Sequence, residues 1–122
     1  MFIAVDGIDG SGKTTLVAAL ADWLRPLDAV ATKEPTSTSE WGRRLRASAV
    51  SGRLPKATEI DYFHRDRLQH LAEVIRPALA AGRPVITDRY IDSLLAFQAE
   101  DVAEADQLYA RFVGDILLPD VT

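Results

Sequence analysis

Phe2-Ile3-Ala4-Val5-Asp6-Gly7-Ile8-Asp9-Gly10-Ser11-Gly12-Lys13-Thr14 joins an uninterrupted apolar run to a glycine-rich loop. Four apolar residues ending at a glycine turn predict a buried strand of a parallel sheet, because such strands are covered on both faces and need no polar alternation. From Lys13 the period changes. Leu16, Leu20, Trp23, Leu24 and Leu27 recur at steps of three and four, which predicts a helix with those residues inward, ended by Pro26. Gly7 to Thr14 fits G-x-x-x-x-G-K-[ST] at every fixed position, and it stands between a strand and a helix as that pattern requires. The glycines let the backbone curl until several N–H groups aim at one anion, and the helix N-terminus adds its positive end. Lys13 supplies a cation for β- and γ-phosphates, and Thr14 a hydroxyl for Mg²⁺. The residues expected around the phosphates of a nucleoside triphosphate are thus Gly7, Ile8, Asp9, Gly10, Ser11, Gly12, Lys13, Thr14 and Thr15. The motif by itself does not separate GTPases, ATPases and small-molecule kinases. No N-K-x-D segment of the guanine-reading kind occurs, and the chain is too small for a motor.

Further along, Ala29-Val30-Ala31-Thr32 predicts a second strand and Pro84-Val85-Ile86-Thr87-Asp88 a third. Ser37-Thr38-Ser39-Glu40 resembles a capping box and should start a helix that turns Trp41, Leu45 and Ala49 inward. A long helix follows from about residue 58, with Ile60, Phe63, Leu68, Leu71 and Ile75 as apolar positions, kinked or restarted at Pro77 and capped by Gly82. Two more helices are expected, at about 93–100 and 103–113. Strands alternating with helices imply parallel pairing through right-handed crossovers, hence an α/β fold. Three strands are visible, and Leu117-Leu118-Pro119-Asp120-Val121-Thr122 resembles the run-in to a fourth.

The 122 residues suit one domain, long enough to bury roughly two thirds of its unfolded surface. Hydrophobic and charged shares of 48% and 26% exclude a disordered tail. Fourteen Lys and Arg against eighteen Asp and Glu give a net charge of −4, which argues against a protein that grips nucleic-acid backbones. One nucleotide can still find a locally positive site. The absence of Cys excludes disulfides and thiolate chemistry. No apolar run approaches the roughly 20 residues of a membrane helix, and the N-terminus carries no basic leader, so a cytoplasmic protein is expected.

Several segments in series resemble the thymidylate (dTMP) kinase family of P-loop nucleoside monophosphate kinases. They are residues 2–15, Lys33-Glu34-Pro35, Phe63-His64-Arg65-Asp66-Arg67-Leu68-Gln69-His70, Val74-Ile75-Arg76-Pro77-Ala78-Leu79 and Asp88-Arg89-Tyr90-Ile91-Asp92-Ser93. The resemblance implies ATP as phosphoryl donor, dTMP as acceptor, Mg²⁺ as cofactor and a homodimer. It makes Phe63 the aromatic that stacks on the base and Arg67, one helical turn on, a contact to it. It places Asp88 near Mg²⁺ together with Thr14, Arg89 on the acceptor's phosphate, and Asp9 and Glu34 close to the acceptor. Ser93, Phe97 and Gln98 match positions lining its base or sugar pocket. Lys13, Asp88 and Arg89 are the expected catalytic residues. Arg43, Arg44 and Arg46 are read as a solvated helix face, His64 and His70 as ordinary polar residues on different faces of one helix, and Trp41 as core.

The match departs in places. Leu94 and Phe97 replace residues that often carry hydroxyl or amide groups, and loss of such groups weakens discrimination by a pocket. Lys33 stands where Arg is frequent, Thr36-Ser37-Thr38 replaces a glycine-rich stretch, and Gly10 stands where some members carry Arg. The family's sheet has five strands in the order 2-3-1-4-5, with an Arg-bearing lid in the C-terminal part. The expectation is therefore a single P-loop kinase domain truncated at its C-terminus, showing order 2-3-1 and leaving the first strand as a bare edge. The alternatives are a kinase for another nucleoside monophosphate or a deoxynucleoside, and a lidless nucleotide-binding module without turnover.

Overall fold

β1 (Phe2–Val5), β2 (Val30–Lys33) and β3 (Val85–Asp88) form one parallel sheet in the order β1-β3-β2, which from the other edge is the expected 2-3-1. The computed structural model describes residues 1–7 and 12–122. In register, Phe2 and Val30 both lie opposite Val85, and Val5 and Lys33 both lie opposite Asp88. The three strands therefore end level, and the loops that follow them gather at one edge, where ligands of open α/β sheets bind. Val85 and Ile86 of the central strand are fully buried.

Alternation turns Phe2, Ala4 and Val85 into the main core, where they meet Leu71, Ile75, Leu108 and Phe112 from the helices and Tyr90 from the segment after β3. These helices are α2 (Glu40–Ser51), α3 (Lys56–His70), α4 (Arg76–Ala80), α5 (Ile91–Gln98) and α6 (Val102–Phe112). Between α3 and α4 the backbone makes a π-helical turn at Leu71–Ile75. Pro77 has no N–H to give to the preceding turn, and a wider turn upstream lets the helix run on through it, so the expected break is a change of winding. Gly82 closes the helix at φ 78, a left-handed conformation that glycine adopts freely.

Three expectations need correction. α1 (Lys13–Trp23) starts and stops as expected, but none of its residues is buried, and Leu16, Trp23 and Leu27 are exposed. Leu20 and Leu24 are half-buried on the expected face, where Val17 and Ala21 join them. Secondly, α2 begins later than the capping box implies. Ser39 is the N-cap and accepts from Gly42 N at 2.9 Å. Leu45 is buried, Trp41 half-buried and Ala49 exposed. Thirdly, β1 is not a bare edge. Ala4 N donates to the Val121 carbonyl at 3.0 Å, Asp120 N to the Phe2 carbonyl at 2.8 Å, and Phe2 N to the Asp120 carboxylate at 2.8 Å. Residues 120–121 thus lie parallel to β1 on the side away from β3.

Candidate active site

Lys13 opens α1 directly after Gly12, whose φ of 87 is a left-handed turn that a side chain at this position would strain. That turn aims the Lys13 ammonium across the strand ends, where it meets Asp88, the last residue of β3, at 2.8 Å. Both side chains are largely enclosed, 9% and 20% exposed. Arg89 then leaves the strand at φ 74, with its N–H still bonded to the Val5 carbonyl at 2.9 Å. A non-glycine residue held there is uncommon and is over-determined by its surroundings. Its guanidinium lies 5.2 Å from the Phe97 ring centroid. Asp6 ties the following segment down, accepting from Tyr90 N at 2.9 Å and from the Ser93 hydroxyl. Thr14 and Thr15 are exposed in the first turn of α1. Ile8, Asp9, Gly10 and Ser11 lie outside the described residues.

Beside this edge, between α2, α3 and α5, opens a cavity of about 430 Å³. Its wall brings together Glu34, Phe63, Arg67, Arg89, Ser93, Phe97 and Gln98, the acceptor-side residues singled out in the sequence apart from Asp9. Leu45 and Leu94 add apolar surface. Phe63 is half-buried, and Phe97, 53% exposed, stands nearer solvent.

Arg67 is 1% exposed, and its charge is not left bare. Glu34 Oε1 accepts from its Nε at 2.8 Å and lies 2.7 Å from Nη2, while the guanidinium stacks 4.9 Å from the Tyr90 ring centroid. Glu34 Oε2 pairs with His70 Nδ1 at 2.8 Å, and His70 Nε2 with Thr32 Oγ1 at 2.6 Å. This chain of contacts fastens α3 to β2 and uses both carboxylate oxygens of Glu34. Glu34 therefore orients Arg67 within the wall. Of the Arg67 guanidinium nitrogens, Nη1 is buried with no hydrogen-bond partner. A buried unpaired donor costs about 1–3 kcal/mol, so one in a cavity wall marks a place for an acceptor oxygen.

Other groups depart from the reading of the sequence. His64 and His70 are both buried, His64 with its ring 4.2 Å from that of Phe112 and its Nε2 3.2 Å from Asp115. Burial lowers the His64 pKa, which the Asp115 contact partly offsets. Of the three arginines read as a solvated face, Arg43 and Arg44 are exposed, whereas Arg46 is half-buried, lines the cavity and donates to the Pro35 carbonyl. Sequence reading missed Arg53 and Glu59, which also line the cavity. Glu59 precedes Phe63 by four and Arg67 by eight, so helical spacing already puts it on their face. The Arg53 guanidinium, hydrogen-bonded to it, holds its carboxyl below the usual range against the opposing effect of burial.

For Mg²⁺, the exposed Thr14 hydroxyl and the Asp88 carboxylate, which here pairs with Lys13, would offer oxygen donors of the kind that ion takes. No cluster of three or more His, Cys, Asp or Glu among the described residues could hold a metal by itself. Among the described residues no helix is long and apolar enough to cross a membrane.

Comparison with known proteins agrees with this architecture. A family model described as thymidylate kinase matches residues 5–122. Thymidylate kinase of Xanthomonas campestris pv. campestris (strain B100) is 46% identical over 112 residues, covering 90% of this chain and 49% of that protein. Its counterpart in Xylella fastidiosa (strain Temecula1) is 46% identical over 110 residues, 88% of this chain and 52% of that one. The chain thus spans about half the length of the curated relatives it matches. The crystal structure of thymidylate kinase from Ehrlichia chaffeensis superposes with a TM-score of 0.81 at 34% identity, covering 100% of this chain and 68% of that one. Matched along nearly its whole length, in sequence and in fold, this chain belongs to the thymidylate kinase family.

Proposed function

We propose that this chain carries the acceptor pocket and phosphate loop of a dTMP kinase, which moves the γ-phosphoryl of Mg·ATP to the 5′-phosphate of dTMP and yields dTDP for dTTP synthesis. The observation that carries the reading is the cavity beside the Lys13–Asp88 pair, with an aromatic ring (Phe63), an unpartnered donor (Arg67 Nη1) and Arg89 in its wall. A thymine ring stacks on Phe63 and offers a carbonyl oxygen to Arg67, which leaves its 5′-phosphate toward Arg89. An oxygen of that phosphate attacks the γ-phosphorus, the bond to the β–γ bridging oxygen breaks, and ADP leaves with the electron pair; no side chain forms a covalent intermediate. Lys13 and Arg89 stabilise the charge spread over the moving phosphoryl group. A triphosphate in the loop would compete with Asp88 for Lys13, leaving the Asp88 carboxylate free as an oxygen donor. Mg²⁺, when bound, would supply positive charge that neutralises the phosphates, with Thr14 and Asp88 as the residues that would hold it. A cytoplasmic location and a homodimer belong to the same proposal.

The test is phosphoryl transfer from Mg·ATP by the mass-verified chain, offered dTMP, dUMP, UMP, dCMP and AMP separately. Transfer to dTMP above all others supports the reading, and preference for another acceptor overturns the substrate. Transfer to no acceptor, with dTMP still bound, would leave a nucleotide-binding module without turnover.

A further inference from the structure

We propose that Glu59 is a positioning residue that sets the hydrogen-bonding sense of Gln98, so that the cavity pairs an acceptor oxygen with the Arg67 donor and selects a base edge carrying adjacent carbonyl and N–H groups. This rests on the reading of the cavity as a pyrimidine monophosphate site.

A glutamine amide is ambiguous, because half a turn about its last torsion exchanges a double donor for an acceptor. Its neighbours decide which group faces which way. Gln98, the last residue of α5, is buried, and its Nε2 stands 2.6 Å from Glu59 Oε1. An ionised carboxylate only accepts, so the group turned to it must be the NH₂. Glu59 is itself buried but stays ionised, since the Arg53 guanidinium reaches both of its oxygens. Turning the amide over would press two oxygens together with no proton between them. Gln98 therefore spends its donor on Glu59 and keeps Oε1 for the cavity that both residues line. Arg67 Nη1 contributes the complementary donor.

One donor and one acceptor match the C4 carbonyl and N3–H of thymine or uracil. Cytosine presents the reverse, an NH₂ at C4 and a bare N3, and meets a donor with a donor and an acceptor with an acceptor. The device does not read the thymine methyl group. Its recognition falls to the apolar part of the wall.

Calorimetric titration of the chain with dTMP and dCMP provides the test. The wild type should prefer dTMP. In Glu59→Gln the partner can donate or accept, Gln98 is free to turn, and the preference for dTMP over dCMP should fall roughly tenfold. In a Gln98→Leu background, Glu59→Gln should change the preference no further, because Glu59 acts only through that amide. Equal loss of affinity for both nucleotides in Glu59→Gln, or a further change of preference in the Leu background, overturns the proposal. A wild-type measurement guards against misfolding of the variants. The side-chain NH₂ of Gln98 should exchange with solvent well over tenfold more slowly than that of the exposed Gln107, and equal rates overturn the proposal. If the wild type binds neither monophosphate, the reading of the cavity fails and the inference with it. If it prefers dTMP and Glu59→Gln keeps that preference, the inference alone fails.

Discussion

Lys13 and Glu34 show how a single side chain takes its meaning from what faces it. Lys13 is nearly enclosed and pairs, among the described residues, with the partly exposed Asp88 carboxylate, so removing it leaves that carboxylate within reach of water. Lys13→Ala should therefore keep the far-UV circular dichroism and the melting temperature close to wild type. It should lower phosphoryl transfer by about 10²–10³-fold or more, as expected when a charged stabiliser of the transition state is lost. Glu34 behaves in the opposite way. Its carboxylate compensates a guanidinium that is 1% exposed and also bonds His70. Breaking one side of a buried ion pair costs about 3–5 kcal/mol, because the other charge stays buried. Glu34→Gln should lower the urea midpoint accordingly and weaken dTMP binding, since Arg67 loses its orientation. The residues Lys13, Asp88 and Arg67 were legible from spacing and resemblance. That Glu34 serves Arg67, and that Glu59 belongs to the same wall, were not, because both follow from helices meeting across residues far apart in sequence.

At the scale of elements, α2 and α3 are fastened around Asp66, which is fully buried on α3. Its carboxylate accepts from Thr36 N at 2.9 Å, from Thr36 Oγ1 at 2.6 Å and from the Ser39 hydroxyl that caps α2. Gly42 is what lets the helix come so close, since a Cβ there would stand 2.1 Å from the Thr36 carbonyl oxygen and 2.8 Å from Asp66 Oδ1. Gly42→Ala, normally neutral or favourable within a helix, should here destabilise by roughly 2 kcal/mol or more, visible as a fall of several degrees in melting temperature. The contact of α3 with α6 carries a pH dependence. Unfolded, His64 takes up its proton near pH 6.5; burial against Phe112 lowers its folded pKa, as the nearby Arg67 and Arg111 charges also do, with Asp115 opposing. The unfolded state then binds the proton more readily, so this contribution to stability is complete above about pH 6.5 and is lost as pH falls through that value. Thermal melts at pH 7.5 and 5.5 should differ more for wild type than for His64→Gln. The capping serine was close to legible, whereas the π-turn was not, because it arises from the way Pro77 is accommodated within a packed helix.

Over the whole molecule, stability is unevenly spread. The central strand β3 is bonded on both sides and buried on both faces, while α1 has no buried residue. Hydrogen exchange should accordingly find the amides of Val85–Asp88 the slowest and those of Lys13–Trp23 faster by orders of magnitude, which peptide-level mass spectrometry would resolve. Comparable protection of α1 and β3 would contradict this picture of the core. The sequence alone determined the α/β class, the phosphate-loop motif and the placing of chemistry at the strand ends, because these depend on local signals: apolar runs, glycine spacing and residues adjacent in the chain, while the strand order was implied by the family resemblance. Only the tertiary structure decided which face of α1 meets the sheet, how the edge of β1 is covered, and how Glu34, Arg67 and His70, or Arg53, Glu59 and Gln98, come together. Periodicity says which side chains share a face, but the partner across from that face comes from elsewhere in the chain, and burial and charge compensation are properties of the pair.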